Sequence, residues 1–140
     1  PNLKLMAIEK RIGASALIHA NAKRLLVKPS AVIESEALGV LNNLYFPKKL
    51  FNPDRVILGG SGLHRNQLLE LIIKRLNHDG IVVVPLVTLE AVSELTIILR
   101  SSSCKLNISQ HQHWRGVPLS SGTRLTPLNP VFILKVKVLK

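Results

Sequence analysis

The feature that most constrains this chain is a repeated change of apolar period, in which a short continuous apolar run is followed by a stripe at helical spacing. Leu3 to Ile8 is nearly continuously apolar and ends in Glu9-Lys10, as expected of a strand buried on both faces of a parallel sheet. Ala14, Ile18, Ala22 and Leu25 then recur every three or four residues, one face of a helix over about residues 11–26. Lys28-Pro29 breaks that helix, Ala31 to Glu34 forms a second strand, and Leu38, Leu41 and Leu44 mark a brief helix. A third strand falls within Asn52 to Gly62. It leads to the stripe Leu69, Ile72, Ile73 and Leu76, closed by the turn Asn77-His78-Asp79-Gly80. Ile81 to Val84 is a β-branched fourth strand, after which Thr88 is placed to cap a helix with the stripe Leu89, Val92, Thr96 and Leu99.

The last third changes character. Lys105 to Ser109 and Val131 to Val138 read as strands, and Gln110 to Arg124 as a polar, turn-rich connection. Two strands joined without a helix should pair antiparallel. The expected fold class is α/β, a mostly parallel sheet finished by a C-terminal antiparallel hairpin.

Within this rhythm Asn52 to Gly62 stands out, because a short buried strand stops at Gly59-Gly60-Ser61-Gly62. Ligands of open α/β sheets bind outside the carboxyl ends of the strands, where glycines let backbone N–H groups come close. The spacing matches none of the common dinucleotide, phosphate-loop or nucleophile-elbow patterns. Alone, it is equally an ordinary strand-to-helix connection.

Composition narrows the partners. With 140 residues, 46% of them apolar, the chain is expected to form about one domain with its own core. The longest apolar run, Ile81 to Val87, is interrupted by Pro85 and is far short of the ~20 residues that span a bilayer, so no membrane association is expected. Pro1 opens the sequence without the basic and apolar regions of a secretory leader. The single cysteine, Cys104, excludes an internal disulfide and suits a reducing, cytoplasmic location.

Nineteen Lys and Arg against eight Asp and Glu give a net charge of +11, which favours a polyanionic partner. The charges are scattered, and the aromatics Tyr45, Phe46, Phe51, Trp114 and Phe132 provide no stacking platform among them, which speaks against dedicated RNA binding. Three of those aromatics fall in Tyr45 to Phe51, read as a surface excursion that tucks one ring back. His111, His113 and Cys104 lack a fourth ligand for zinc, so no metal is expected.

Four blocks taken in order carry a resemblance: Ala7-Ile8-Glu9-Lys10; Pro53-Asp54-Arg55-Val56 with Gly59-Gly60-Ser61-Gly62; Val87-Thr88-Leu89-Glu90; and Thr126-Pro127-Leu128-Asn129-Pro130-Val131. In them the chain resembles the decarboxylating precorrin-6 methyltransferases of cobalamin biosynthesis, either the small free-standing type or the C-terminal domain of the fused enzymes. The resemblance implies a Rossmann-like class I methyltransferase sheet, S-adenosylmethionine as cofactor and a tetrapyrrole (precorrin) substrate. The implied reaction is methylation at ring position 15 with loss of carbon dioxide from an acetate.

It also assigns residues. Glu9 would accept bonds from the cofactor ribose hydroxyls, a task that suits a carboxylate's several lone pairs. Glu36 and Ala37 would border the adenine, and Gly59, Gly60 and Ser61 the methionine part. Gly62, Thr88 and Glu90 would line the substrate side, although Glu90 is equally a first-turn residue favoured by the helix dipole. Arg65, Arg115 and Arg124 would form a basic rim for a polycarboxylate substrate, or be plain surface charge. A homo-oligomer, and a second methyltransferase domain fused or paired with this one, are further implications.

Two departures qualify the resemblance. Pro85 stands where the family usually has Asn two residues before Val87, and the family's glycine-rich loop and first strand would precede Ala7 to Lys10. The expectation is therefore an incomplete sheet, a C-terminal portion of one domain. The alternatives are a nucleic-acid methyltransferase, against which the glycines stand where an aromatic catalytic tetrapeptide would be, and a non-catalytic fragment. On this reading the isolated 140 residues bind S-adenosylmethionine poorly or not at all. Micromolar binding by titration calorimetry would overturn it.

Overall fold

A computed structural model describes residues 3–42, 52–59, 62–100 and 102–139, and the chain divides into two units, Pro1–Asn52 and Pro53–Lys140. In the first unit β1 (Met6–Glu9) pairs in parallel with β2 (Ala31–Glu34), from Met6 opposite Ala31 to Glu9 opposite Glu34. The strand begins later than the apolar run suggested, with Leu3, Lys4 and Leu5 lying ahead of it. Between the strands α1 (Ala14–Arg24) is shorter at both ends than residues 11–26.

Local chemistry trims that helix. Gly13, with φ 80, turns the chain into it from a left-handed conformation that favours glycine. At the other end Leu26 takes φ 55, while Val27 N–H reaches Ala22 O and Leu26 N–H reaches Lys23 O. That pair of bonds closes a helix in the Schellman manner, so α1 stops before Lys28-Pro29 is reached. The short α2 (Ala37–Asn42) follows β2. Leu44 and the Tyr45 to Phe51 excursion lie outside the described residues.

The second unit holds β3 (Arg55–Ile57), α3 (Arg65–Arg75), β4 (Ile81–Leu86), α4 (Leu89–Arg100), β5 (Cys104–His111), β6 (Trp114–Leu119), β7 (Gly122–Pro127) and β8 (Val131–Val138). Strands β3, β4, β8 and β5 form a sheet in that order; β3 and β4 are parallel, and β8 runs antiparallel to both its neighbours. The antiparallel partners expected at the C-terminus are thus β5 and β8. Val82, Val84, Leu134 and Val136 are wholly buried, as are Leu69 of α3 and Leu95 of α4.

Three readings of this unit need correction. First, α4 buries Ala91, Leu95 and Leu99, whereas Leu89 is 67% exposed; only Leu99 of the expected stripe belongs to the buried face. Second, Gln110 to Arg124 is not merely a turn-rich connection: β5 runs on to His111, and β6 pairs with β7 as an antiparallel hairpin from Trp114 opposite Pro127 to Leu119 opposite Gly122. Nearly every hairpin residue is exposed, so no apolar alternation announces these strands.

Third, β4 continues through Pro85 to Leu86, beyond Val84. The ladder explains how. Ile81 N–H goes to Asp54 O, and Val83 O receives Leu58 N–H, so by alternation Pro85 turns toward the β3 side as well. Pairing with β3 ends at Ile57 opposite Val83, and the missing proline N–H removes no ladder bond.

The turn before β4 is tied on several sides. Asp79 takes the left-handed conformation, φ 58, and its carboxylate receives Lys137 Nζ at 2.8 Å. Asn77 N–H reaches Pro53 O, and Gly80 bonds to Asn77 O through its N–H and to Val138 N–H through its carbonyl. Space selects the glycine here, since a Cβ at Gly80 would sit 2.7 Å from Asn77 O and 2.9 Å from Leu76 Cβ. Gly80→Ala is therefore expected to destabilise by about 1–3 kcal/mol, as overpacking does. A urea unfolding midpoint equal to the parent's would contradict that.

Candidate functional site

At the carboxyl ends of β1 and β2 three glutamates meet backbone and side-chain donors, each in its own way. Glu9 ends β1 and binds its neighbour Arg11, whose backbone N–H and Nε both lie 3.1 Å from Oε1 and whose Nη2 lies 3.3 Å from Oε2. The Arg11 side-chain bond is the main reason that Glu9 titrates below the usual carboxylate range. The Glu9 side chain is 31% exposed and that of Arg11 78%, so the Arg11 guanidinium is free to turn toward solvent while its backbone N–H keeps its bond to Oε1.

Glu34 ends β2, opposite Glu9 in the register. Its two oxygens accept Gly13 N–H and Ser15 N–H, both at 3.0 Å. These are first-turn donors of α1 that no local side chain satisfies. The two backbone bonds, Ser15's first, hold the Glu34 carboxyl below its ordinary range. Sequence reading overlooked this role, because a cap supplied from 19 and 21 residues away leaves no local signature. Ser35 N–H bonds Glu9 O at 3.0 Å and continues the alignment of the two strand ends.

Glu36 accepts Leu38 N–H at 2.7 Å and Gly39 N–H at 3.1 Å through Oε2. It therefore caps α2, whose first residue is the half-buried Ala37. Its Oε1 takes part in neither bond and is left for an outside donor.

In the second unit, Gly59 follows β3 and Thr88 follows β4, at the carboxyl ends of neighbouring parallel strands. Gly59 is exposed, and a Cβ built on it would meet nothing within 4 Å. No packing among the described residues requires glycine there. Gly62 is likewise exposed and accepts Arg65 N–H at 3.1 Å. Gly60 and Ser61 lie outside the described residues. Thr88 caps α4, with Ala91 N–H 3.3 Å from its Oγ1, and Glu90 is an exposed first-turn residue.

The basic rim divides. Arg65 points its Nη2 to Glu94 Oε2 at 3.0 Å and is only 14% exposed, so it joins α3 to α4 and is not a free rim charge. Arg115 and Arg124 are exposed on one face of the β6–β7 hairpin. His111 meets Ser109 Oγ at 3.0 Å, and among the described residues no group of three or more His, Cys, Asp or Glu could hold a metal ion. None of the described helices is long and apolar enough to cross a membrane.

Comparison with known proteins gives this geometry a family context. Residues 1–138 match the family described as a precorrin methyltransferase domain. A Pyrobaculum aerophilum protein named "Probable cobalt-precorrin-6B C(15)-methyltransferase (decarboxylating)" is 30% identical over 132 residues, which cover 94% of this chain and 64% of that protein. The Salmonella typhi protein named as cobalt-precorrin-6B C(15)-methyltransferase (decarboxylating) is 27% identical, with 96% and 66% covered. The chain thus spans slightly less than two thirds of the length of these relatives. Among solved structures, the precorrin 8W decarboxylase of Methanobacterium thermoautotrophicum superposes with a TM-score of 0.81 at 26% identity, covering 96% of this chain and 70% of that one. A Geobacter metallireducens structure also reaches 0.81, at 23% identity and with 98% and 69% covered, and shows the shared fold.

The Glu34 cap has a pH signature. Its folded-state pKa is depressed, so the stability it contributes is present above the unfolded value of about 4.3 and is lost as pH falls through the folded value. Glu34→Gln is expected to be less stable than the parent at pH 7, the gap narrowing as acid protonates the parent's carboxyl. Urea midpoints of the two proteins from pH 7 to about pH 3 check this, and a gap that stays constant with pH would sink the assignment.

Proposed function

This chain belongs to the precorrin methyltransferase domain family, and on that premise we propose that it serves S-adenosylmethionine-dependent methylation of a precorrin-6 type corrinoid at ring position 15, with loss of carbon dioxide from an acetate side chain. One observation supports the reading most directly. Glu9, Glu36, Gly59 and Thr88 each stand at or just after the carboxyl end of a strand that has a parallel partner, where open α/β sheets hold their ligands.

The residues fit the cofactor. Glu9 is a carboxylate at neutral pH and is reachable from solvent; of the donors that hold it, the Arg11 side chain can yield while the Arg11 backbone N–H stays on Oε1. Two ribose hydroxyls, both neutral donors, match its lone pairs. Glu36 and Ala37 flank the adenine, Glu36 through the oxygen its own helix leaves unused. Gly59 offers backbone without a side chain to the methionine part, for which Gly60 and Ser61 are also proposed as cofactor residues. S-adenosylmethionine, when bound, supplies an electrophilic methyl group on its sulfonium. The chain's own task is to hold donor and ring carbon in line and keep water out, which lowers the barrier by orientation. Gly62, Thr88 and Glu90 are proposed to face the tetrapyrrole, and a homo-oligomer is the proposed assembly.

The test uses the complete gene product that contains these residues, incubated with S-adenosylmethionine and cobalt-precorrin-6B. Mass spectrometry is expected to show a product that has gained one methyl group and lost one carbon dioxide, and Glu9→Ala to weaken cofactor binding by about tenfold or more. Cofactor binding with unchanged substrate would remove the substrate assignment. Full affinity in Glu9→Ala would remove the ribose assignment.

A further inference from the structure

The four-stranded sheet of the second unit has two faces, and the register sorts its residues between them. Val82, Val84, Leu134, Val136 and Val138 are buried in the core. On the opposite face Arg55, Ile81, Lys137 and Lys105 are successive cross-strand neighbours in one row, with Lys135 and Asn107 in the next. Together with Asp79 they line an open depression of about 580 Å³ on that face. Arg55 and Ile81 open their strands, so this bay lies at the amino ends of β3 and β4, away from Gly59 and Thr88.

Four cations, Arg55, Lys105, Lys135 and Lys137, line the bay beside one carboxylate, and of these only Lys137 bonds it. Asp79 takes Lys137 Nζ at 2.8 Å and His78 Nδ1 at 3.2 Å, and the lysine is the main reason that its carboxyl titrates low. Arg55 Nη1 is occupied by the backbone oxygens of Asp54 at 2.7 Å and Asp79 at 3.5 Å. Lys105 and Lys135 are exposed and have neither an ion-pair nor a hydrogen-bond partner among the described residues. Lys105 stands directly opposite Lys137, and Lys135 lies two residues along the same face.

Like charges directly opposite each other destabilise a sheet, and the core face of β5 and β8 does not require lysine at these positions. Such a conflict between local chemistry and fold marks functional surface. Ammonium groups on flexible stems bind phosphate oxygens as point charges, and the Asn107 side-chain amide, which has no partner among the described residues, adds a neutral donor.

We propose that this bay is an anion site for a ligand of the oligophosphate class, a compact anion of several negative charges held by Lys105, Lys135 and Lys137 with Asn107 donating beside them. The site is independent of the cofactor residues, so its test does not depend on the methyltransferase reading.

The chain is titrated calorimetrically with inorganic tripolyphosphate at about 0.15 M salt, where long-range attraction is screened. Saturable one-to-one binding is expected, weakened about tenfold or more in the double variant Lys105→Gln/Lys135→Gln. Relief of the like-charge pair should leave that variant at least as stable as the parent in urea, which separates lost binding from lost folding. A control of equal charge change in the first unit, Lys23→Gln/Lys28→Gln, is expected to bind like the parent. Absent or non-saturable binding, or an equal loss in the control, overturns the site. Citrate binding as tightly as tripolyphosphate would overturn the phosphate assignment in favour of a polycarboxylate.

Discussion

Strand β8 bonds along both edges, to β4 over Ile81–Leu86 and to β5 over Cys104–His111, and the order of the second unit depends on that double pairing. Without β8, β4 and β5 have no common neighbour. Its inward residues Leu134, Val136 and Val138 are essentially inaccessible, and each fully buried aliphatic side chain is worth roughly 1.5–3 kcal/mol. The same strand reaches the turn before β4, through Val138 N–H to Gly80 O and Lys137 to Asp79. The start of β4 is therefore tied to the last residues of β8, and its end at Leu86 lies opposite Phe132 near the beginning of β8.

A second constraint acts at the carboxyl ends of the parallel strands, where helix N-termini present unpaired N–H groups. Glu34 closes α1, Glu36 closes α2 and Thr88 closes α4. Polar residues concentrated at such ends are thus partly structural, and their presence alone does not identify a ligand site. Glu9 differs. Its carboxylate is held chiefly by an exposed arginine side chain, and that partner can be exchanged for a ligand at little cost to the fold. This difference in who holds the carboxylate, more than the residue type, separates a proposed ribose acceptor from its structural neighbours.

Much of this was legible in the residues. The alternation of apolar runs and helical stripes located all four strand–helix pairs, because burial on one stripe or both faces leaves a period in the sequence. Ala31 to Glu34 and Val131 to Val138 match their strands residue for residue. The β6–β7 hairpin was missed for the converse reason: with nearly all its residues exposed, cross-strand hydrogen bonds hold it without any apolar period to read. Leu89 was misplaced because a stripe spaced by three and four residues can be drawn on two adjacent faces of a helix, and only the packing partner chooses between them.

By itself, the sequence determined the α/β class, the four-block signature that places the chain among the precorrin methyltransferases, and the glycine turn after Pro-Asp-Arg-Val as a strand end. These depend on local period and residue identity, which neighbours in the chain carry. Tertiary structure alone decided that Glu34 serves α1 from a distance and that Arg65 is bound to Glu94. It also showed that Pro85 sits on a side of β4 where no donor is needed, and that Lys105, Lys135 and Lys137 converge on one face. Each depends on which residues meet across strands or helices far apart in sequence; for the three lysines, that meeting comes with the pairing of β8 and β5.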